Sequence, residues 1–309
     1  MLRFIRARDW SVRGAQLARS SCRRSASKDC RRGLRRPVMM AFEAFGPLLV
    51  PPITGINMGL LAAPLGQLVS GPLEASGLQQ MKYSKFASGE QLGVLPSVPS
   101  KIGMLVIYLP GTLMSAYSVV AALGASGGVA SRALLVATLL LIHFLKRTLE
   151  VGFLHRYSGR ASLAESMTIG AYYGFAAWAI SSWMLEVPAG LYSQVQFSSL
   201  APVLGTLLFA IGIAGNLYHH RLLADLRKDG SKHYKVPTGG LFDYATCPHF
   251  FCELLGWYGI VLASQQIGAL GVAVGMTSYL TGRAIATQKW YEAKLDDYPT
   301  NRKAIIPFI

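Results

Sequence analysis

Apolar residues run along this chain in long stretches broken by short polar loops. The stretches fall at about 102–122, 133–154, 167–185, 200–220, 242–263 and 266–286. Each approaches the ~20 residues that an α-helix needs to cross a hydrocarbon core. A further stretch at about 40–70 is interrupted by Pro51 and Pro52. The pattern predicts an all-α fold: a polytopic membrane bundle of six or seven transmembrane helices. Gly271 and Gly275 form a GxxxG in the last stretch, a mark of close helix packing.

Composition agrees. Of the 309 residues 52% are hydrophobic and 15% charged, and mean hydropathy is +0.36, too apolar for the surface of a soluble globule. The net charge of +15 is concentrated at the start. Residues 1–37 hold eleven Arg and Lys28 against Asp9 and Asp29. That is a basic leader on a membrane protein, not a nucleic-acid face. The remaining bases orient the bundle. Segments 71–101, 143–165, 221–241 and the tail from Arg283 carry 17 Lys and Arg, and the opposite loops carry Arg132 alone. The positive-inside rule then puts those four segments in the cytosol. The leader breaks this pattern if 40–70 crosses fully. It is expected over 1–39 as a transit-like extension before Met39 and Met40 or as a cytosolic tail, with the membrane domain at 40–309. The four cysteines, Cys22, Cys30, Cys247 and Cys252, show no metal spacing and no disulfide framework.

Ionisable residues inside apolar helices cost ~2.5–3.5 kcal/mol each on insertion scales, so each needs a reason. His143, Lys146, Arg147 and Glu150 share one stripe of 133–154, with His155 and Arg156 just beyond. The stripe suits either a phosphate-facing wall or an interfacial helix end with a Lys146–Glu150 pair. Asn216, His220 and Arg227 align on a second face, beside His219; a helix–helix hydrogen bond alone would explain Asn216. His249 and Glu253 lie one turn apart in CPHFFCELLGWYG. Glu253 is neutral, paired with a base such as His249, or bonded to a ligand. The loop from Tyr234 to Tyr244 has Pro237, Gly239 and Gly240, which suit a tight turn. Together these rows predict a positively charged pocket open to the cytosol. There is no GxGxxG after a strand, so no Rossmann domain would hold a dinucleotide.

The segments GNLYHHRLLADLRKDGSKHYKVPTGGLFDYATCPHFFCELLGW and KWYEAKLDDYPTNRKAIIPFI closely resemble the steroid 5-alpha-reductase family, which includes the very-long-chain trans-2-enoyl-CoA reductases. The resemblance runs back through YYGFAAW and IHFLKRTLEVGFLHRYSGR and covers about 140–309, with weaker likeness at YSKFASGEQ and PSKIGMLVIYLPG. It implies an endoplasmic reticulum membrane enzyme that binds NADPH on the cytosolic side. Such an enzyme passes hydride to the β-carbon of an enone or enoyl thioester drawn from the bilayer, and other lipid-elongation or sterol enzymes would be its partners. The leader leaves an organellar membrane open. Carried over by position, the cofactor contacts are Arg147, Asn216, His220, Arg227, Tyr234, Lys235, His249, Glu253, Arg283, Tyr291 and Arg302. Arg227, Lys235 and Arg302 would hold phosphates; Asn216 and Glu253 would hold polar ring groups.

Three positions depart from the family pattern. Phe144 stands where steroid reductases have Tyr, Tyr108 stands where they have Glu, and Phe250 stands where enoyl-CoA reductases have Tyr. Tyr108 is therefore the candidate donor to the substrate carbonyl, with an interfacial aromatic as the plainer reading; His155 and Tyr291 come next. HFLKRTLEVGFLHRYS, His220 and the Cys247–Pro248 pair look like the enoyl-CoA branch, whereas GGLFDY, Arg283 and RKAIIPFI look like the steroid branch. Two other classes stay open: a lipid or prenylcysteine methyltransferase using S-adenosylmethionine, and a non-catalytic relative.

Overall fold

The computed structural model describes residues 3–4, 39–42, 46–49, 55–81, 86, 96–125, 128–186, 200–230 and 233–308. The leader expected over 1–39 lies outside these residues except at 3–4 and 39, as do Pro51, Pro52 and most of YSKFASGEQ. The described chain is predominantly helical. Its helices are α1 (Gly55–Ser76), α2 (Ser100–Leu123), α3 (Gly128–Leu149) and α4 (Leu163–Glu186). They are followed by α5 (Leu200–Asp225), α6 (Pro248–Ser264) and α7 (Ile267–Lys294). The short strands β1 (Arg3–Phe4), β2 (Met39–Phe42) and β3 (Gly46–Leu49) form one antiparallel sheet. β4 (Ser97–Pro99) pairs antiparallel with β5 (Arg160–Ser162), Ser97 opposite Ser162.

The six uninterrupted apolar stretches become helices, though not all with the expected limits; the stretch at 40–70 instead begins in strands β2 and β3 and is helical only from Gly55. The stretch 242–263 shortens to α6, which has 17 residues, because Pro248 starts it: a first-turn proline has no N–H to lose and cannot continue a helix backwards. α6 ends where Gln265 turns left-handed at φ 48° and donates its N–H to Val261 O at 2.7 Å. α7 follows almost at once. α3 does not run straight to residue 154 but ends in a π turn, Glu150–Leu154. By length and hydropathy alone α2 and α5 qualify as membrane spans, with mean hydropathy 1.6 and 1.9.

α5 lies along α6, α1 along α7, and α2 against both α3 and α4. Small residues permit these approaches, as they do where lipid removes any hydrophobic drive between helices. A Cβ on Gly282 would collide with the Gly71 carbonyl, and one on Gly212 would collide with the α6 backbone at Gly256. The GxxxG of α7 faces α1: a Cβ on Gly275 would come 2.7 Å from Gln67 Oε1, and one on Gly271 would meet Pro64. Trp257, Phe144, Ile260 and Met276 fill the interior. Outside, large apolar side chains stay exposed on one face each of two helices: Leu204, Leu207 and Ile211 on α5, and Leu113, Tyr117 and Val120 on α2. Continuous exposed apolar faces suit contact with lipid rather than water.

Candidate functional site

The π turn creates the centre of the site. Glu150 opens this turn, its carbonyl accepting the His155 N–H at 2.8 Å, and its buried carboxylate gathers bases from two helices. Lys146 Nζ lies 2.8 Å from Glu150 Oε1 and Arg147 Nη1 lies 2.7 Å from Oε2. The same Arg147 nitrogen donates to His220 Nδ1 at 2.8 Å. That assigns His220 the Nε2–H tautomer, so its 3.0 Å approach to Glu150 Oε2 is a contact around a shared donor. The other amino group of Arg147 donates to Tyr108 Oη at 2.6 Å, and the guanidinium lies 4.6 Å from the Tyr108 ring centre. Glu150, His155 and His220 converge within 4.8 Å, close enough for a metal, but the Arg147 guanidinium already supplies the positive charge there.

The predicted stripe on α3 therefore divides. Lys146 and Glu150 do pair, but in the interior: the Lys146 side chain is 12% exposed and that of Glu150 3%. His143 turns to the core, 5.1 Å from the Trp257 ring. On α5, Asn216 accepts from Lys146 and donates to the His249 carbonyl at 2.7 Å, tying α3, α5 and α6 together. His219 faces the other way. Its Nδ1 donates to Gly215 O at 2.7 Å and its Nε2 accepts from the Leu241 N–H at 3.1 Å, which pins the 3-10 turn Gly240–Asp243. That turn needs its glycines: Gly239 and Gly240 have φ 89° and 57°.

Two cavities meet beside this network. The inner one, about 240 Å³, is lined by Tyr108, Arg147, His220 and Glu253 together with Tyr157, Tyr173 and Tyr279. Glu253 is 7% exposed and makes no hydrogen bond or ion pair among the described residues; Arg147 and Lys146 are its charged neighbours. The outer cavity, about 250 Å³, is lined by Arg156, Arg227, Lys235, Arg283, Tyr234 and Tyr291, with no carboxylate among its described lining residues. His155, Tyr157, His249 and Phe250 line both. His155 follows the π turn and has its pKa lowered to about 4, first by burial, with Arg147 and Lys146 adding to the effect and Glu150 opposing it. Burial raises the Tyr157 phenol above its ordinary range.

Comparison with known proteins places this architecture. The 3-oxo-5-alpha-steroid 4-dehydrogenase family matches residues 168–309. The chain is 30% identical over 214 residues to 3-oxo-5-alpha-steroid 4-dehydrogenase 1 of Rattus norvegicus, covering 69% of this chain and 81% of that protein. It is 33% identical over 172 residues to 3-oxo-5-alpha-steroid 4-dehydrogenase 2 of Homo sapiens, covering 54% and 65%. The chain belongs to the steroid 5-alpha-reductase family. The named relatives are oxidoreductases that act on CH–CH groups, and the two apolar helices found among the described residues suit the membrane association of such a family.

As a steroid 5-alpha-reductase family member it brings most of the predicted site residues together. Arg147, His220, Arg227, Tyr234, Lys235, His249, Glu253, Arg283, Tyr291 and Tyr108 line one cavity or both. Asn216 and Arg302 line neither. Asn216 sits behind the inner wall. Arg302 is buried and donates to Pro237 O at 2.8 Å, so it holds the loop before the Gly239 turn rather than facing the outer cavity. Thr246 and Cys247 donate their N–H groups to Lys303 O and Ala304 O. The tail RKAIIPFI and the loop FDYATCP, two motifs of the family, are thus paired backbone to backbone. Phe144 is fully buried against Tyr173 and Trp257. Tyr157, Tyr173, Tyr279 and Glu74 were not predicted. Glu74, 1% exposed, pairs with Arg283 at 2.9 Å, and its position in an apolar helix with no acid near it was the available signal.

Proposed function

We propose that this chain is a multi-pass reductase of the endoplasmic reticulum membrane, with all seven helices in or at the bilayer. In this reading it uses NADPH to saturate a carbon–carbon double bond conjugated to a carbonyl, and its substrate is a 3-oxo-Δ4 steroid. The steroid rests on the relatives being 3-oxo-5-alpha-steroid 4-dehydrogenases. The observation that carries the cofactor is the outer cavity, lined by three arginines and a lysine with no carboxylate among its described lining residues. Arg283 and Lys235 are paired with Glu74 and Asp229 outside that lining. Arg156 and Arg227 make no ion pair among the described residues and give hydrogen bonds only to carbonyls and the Ser158 hydroxyl. Such a donor set suits a polyanion such as a dinucleotide phosphate. Glu253, acidic and unpartnered at the inner wall, suits the amide of a nicotinamide.

NADPH bound there would supply a hydride. Arg227, Lys235 and Tyr234 would hold its phosphate end; His249 and Glu253 would hold the ring end. The chain's own chemistry lies at Tyr108. As a double bond conjugated to a carbonyl is reduced, charge develops on the carbonyl oxygen, and a preset donor there lowers the barrier. Arg147 donates to the Tyr108 oxygen, which polarises the phenol O–H as a donor into the inner cavity. Glu150 and His220 fix Arg147 in turn, and the aromatic walls exclude water. Phe144, buried and without a polar group, cannot act in this way.

The test is NADPH binding and oxidation by purified protein against a panel of 3-oxo-Δ4 steroids, 2-enoyl-CoAs and S-adenosylmethionine. NADPH oxidation with a steroid supports the reading; binding of S-adenosylmethionine in place of NADPH sinks it. Arg227→Ala removes a charged hydrogen-bond donor from the outer cavity and should weaken NADPH by about tenfold or more. Equal affinity would remove Arg227 from the site.

A further inference from the structure

A third cleft adjoins both cavities, sharing His155 with each and Arg156 with the outer one; the Lys146–Glu150 pair and Asp225 also line it. It measures about 630 Å³ and opens between the π turn after α3 and the last turns of α5. Its two walls share one design. On one, Leu149 and Phe153 give way to Arg156; on the other, Leu217 gives way to Arg221 and then Lys228. Each wall thus passes from apolar to basic at the same end of the helices, the end that the basic loops assign to the cytosol.

The apolar half is open: Phe153 is 88% exposed, and Leu149 and Leu217 are also exposed. The basic half keeps a surplus of charge. Arg221 is exposed and makes no hydrogen bond or ion pair among the described residues. Lys228 pairs with Asp225 at 2.9 Å. Arg156 gives one amino group to the carbonyls of Arg227 and Lys228, both at 3.1 Å, and retains its charge. An exposed phenylalanine beside a lone arginine has no use in water, whereas a lipid phosphate above an acyl chain satisfies both.

We infer that this cleft holds the headgroup phosphate of an anionic phospholipid, with its upper acyl carbons against Leu149, Phe153 and Leu217. A zwitterionic lipid fits less well, because its own cation meets the basic rim. The inference rests on the membrane reading above but not on the reductase chemistry, since Arg221 and Lys228 line neither the inner nor the outer cavity.

The experiment uses the full chain in detergent, incubated with phosphatidylglycerol or phosphatidylcholine, with retained lipid read by native mass spectrometry. NADPH affinity and the thermal midpoint are measured in parallel. Wild type should retain phosphatidylglycerol roughly tenfold over phosphatidylcholine, a preference of about 1.4 kcal/mol. The double variant Arg221→Gln/Lys228→Gln should lose that preference while keeping its midpoint and its NADPH affinity. An unchanged preference in the variant overturns the inference. So does displacement of the lipid by glycerol 3-phosphate at equal concentration, which would mean a site for free phosphate, or by steroid, which would make the cleft the substrate's door. A protein that needs no detergent would sink the membrane reading itself; one that needs it and shows no lipid preference sinks only this inference.

Discussion

The bundle buries charge at both ends, and the two ends differ in kind. At one, Arg132 donates to Ala263 O at 2.8 Å and to Gln265 Oε1 at 2.5 Å, and Gln266 donates to Ile180 O at 3.0 Å. The arginine is used to close the α6–α7 turn, and no side chain of this group lines either central cavity. At the other end Lys146, Arg147, Glu150 and His220 hold one another, but Arg147 and His220 also face the inner cavity together with Glu253. A buried charge spent on carbonyls at a helix end is architecture. A buried network with one side left open to a cavity is where a ligand belongs.

The largest effects should separate these two ends. Glu150→Gln keeps the shape but removes the carboxylate between Lys146 and Arg147. Breaking a buried ion pair in this way costs about 3–5 kcal/mol, and the loosened Arg147 should weaken NADPH binding and turnover as well. Arg132→Met removes the donor to Ala263 O and Gln265 Oε1, at about 1–3 kcal/mol, with NADPH affinity intact. Thermal midpoints and NADPH titrations of both variants make the comparison. If Arg132→Met weakens NADPH as much as Glu150→Gln does, the distinction between the ends is wrong.

A narrower break concerns the open side alone. Tyr108→Phe removes one hydroxyl from the inner cavity and leaves the ring on Tyr173, 5.9 Å away. Loss of one preset donor to a developing oxyanion lowers turnover by ~100–1000-fold. NADPH affinity should stay near wild type, while the thermal midpoint falls modestly because the buried Arg147 loses one acceptor, at about 1–3 kcal/mol. Near-normal turnover on the true substrate would remove Tyr108 as donor, leaving His155 or Tyr291 as the candidate.

The sequence made the helices legible because burial in lipid demands apolar runs of fixed length, and it made the charged rows legible because each buried charge breaks such a run. Arg147, His220 and Glu253 came from that logic before any geometry. Three things were not legible. The π turn has no composition signal: the stripe through Glu150 holds, but nothing in the sequence shows that the α-helix gives way there. Tyr173 and Tyr279 look like any aromatic of an apolar helix and Tyr157 like any aromatic of a loop, and only the fold brings them to one cavity. Arg302 carries a charge that sequence could locate but not aim; its bond to Pro237 O depends on the pairing of the tail with residues 246–247.

The smallest effect expected is one of pH, and it also belongs to the open end. His155 lies beyond the π turn with its ring 4.9 Å from that of His220 and 5.8 Å from that of Tyr157. Arg147, Lys146 and Glu150 are the charges that face it. Its pKa falls from 6.5 to about 4 on folding, so the folded protein keeps the ring neutral where the unfolded chain would protonate it. The stability from this group is therefore fully present above pH 6.5 and is lost as pH falls toward 4. At pH 5 the loss amounts to roughly 2 kcal/mol. Replacing the ring by an amide in His155→Gln removes the titration while keeping a polar side chain. The thermal midpoints of wild type and variant should keep a constant gap above pH 7 and move by several degrees relative to each other between pH 7 and 5, wild type falling faster. Parallel curves across that range would mean that His155 is open to water and does not share the buried environment of Glu150 and Arg147.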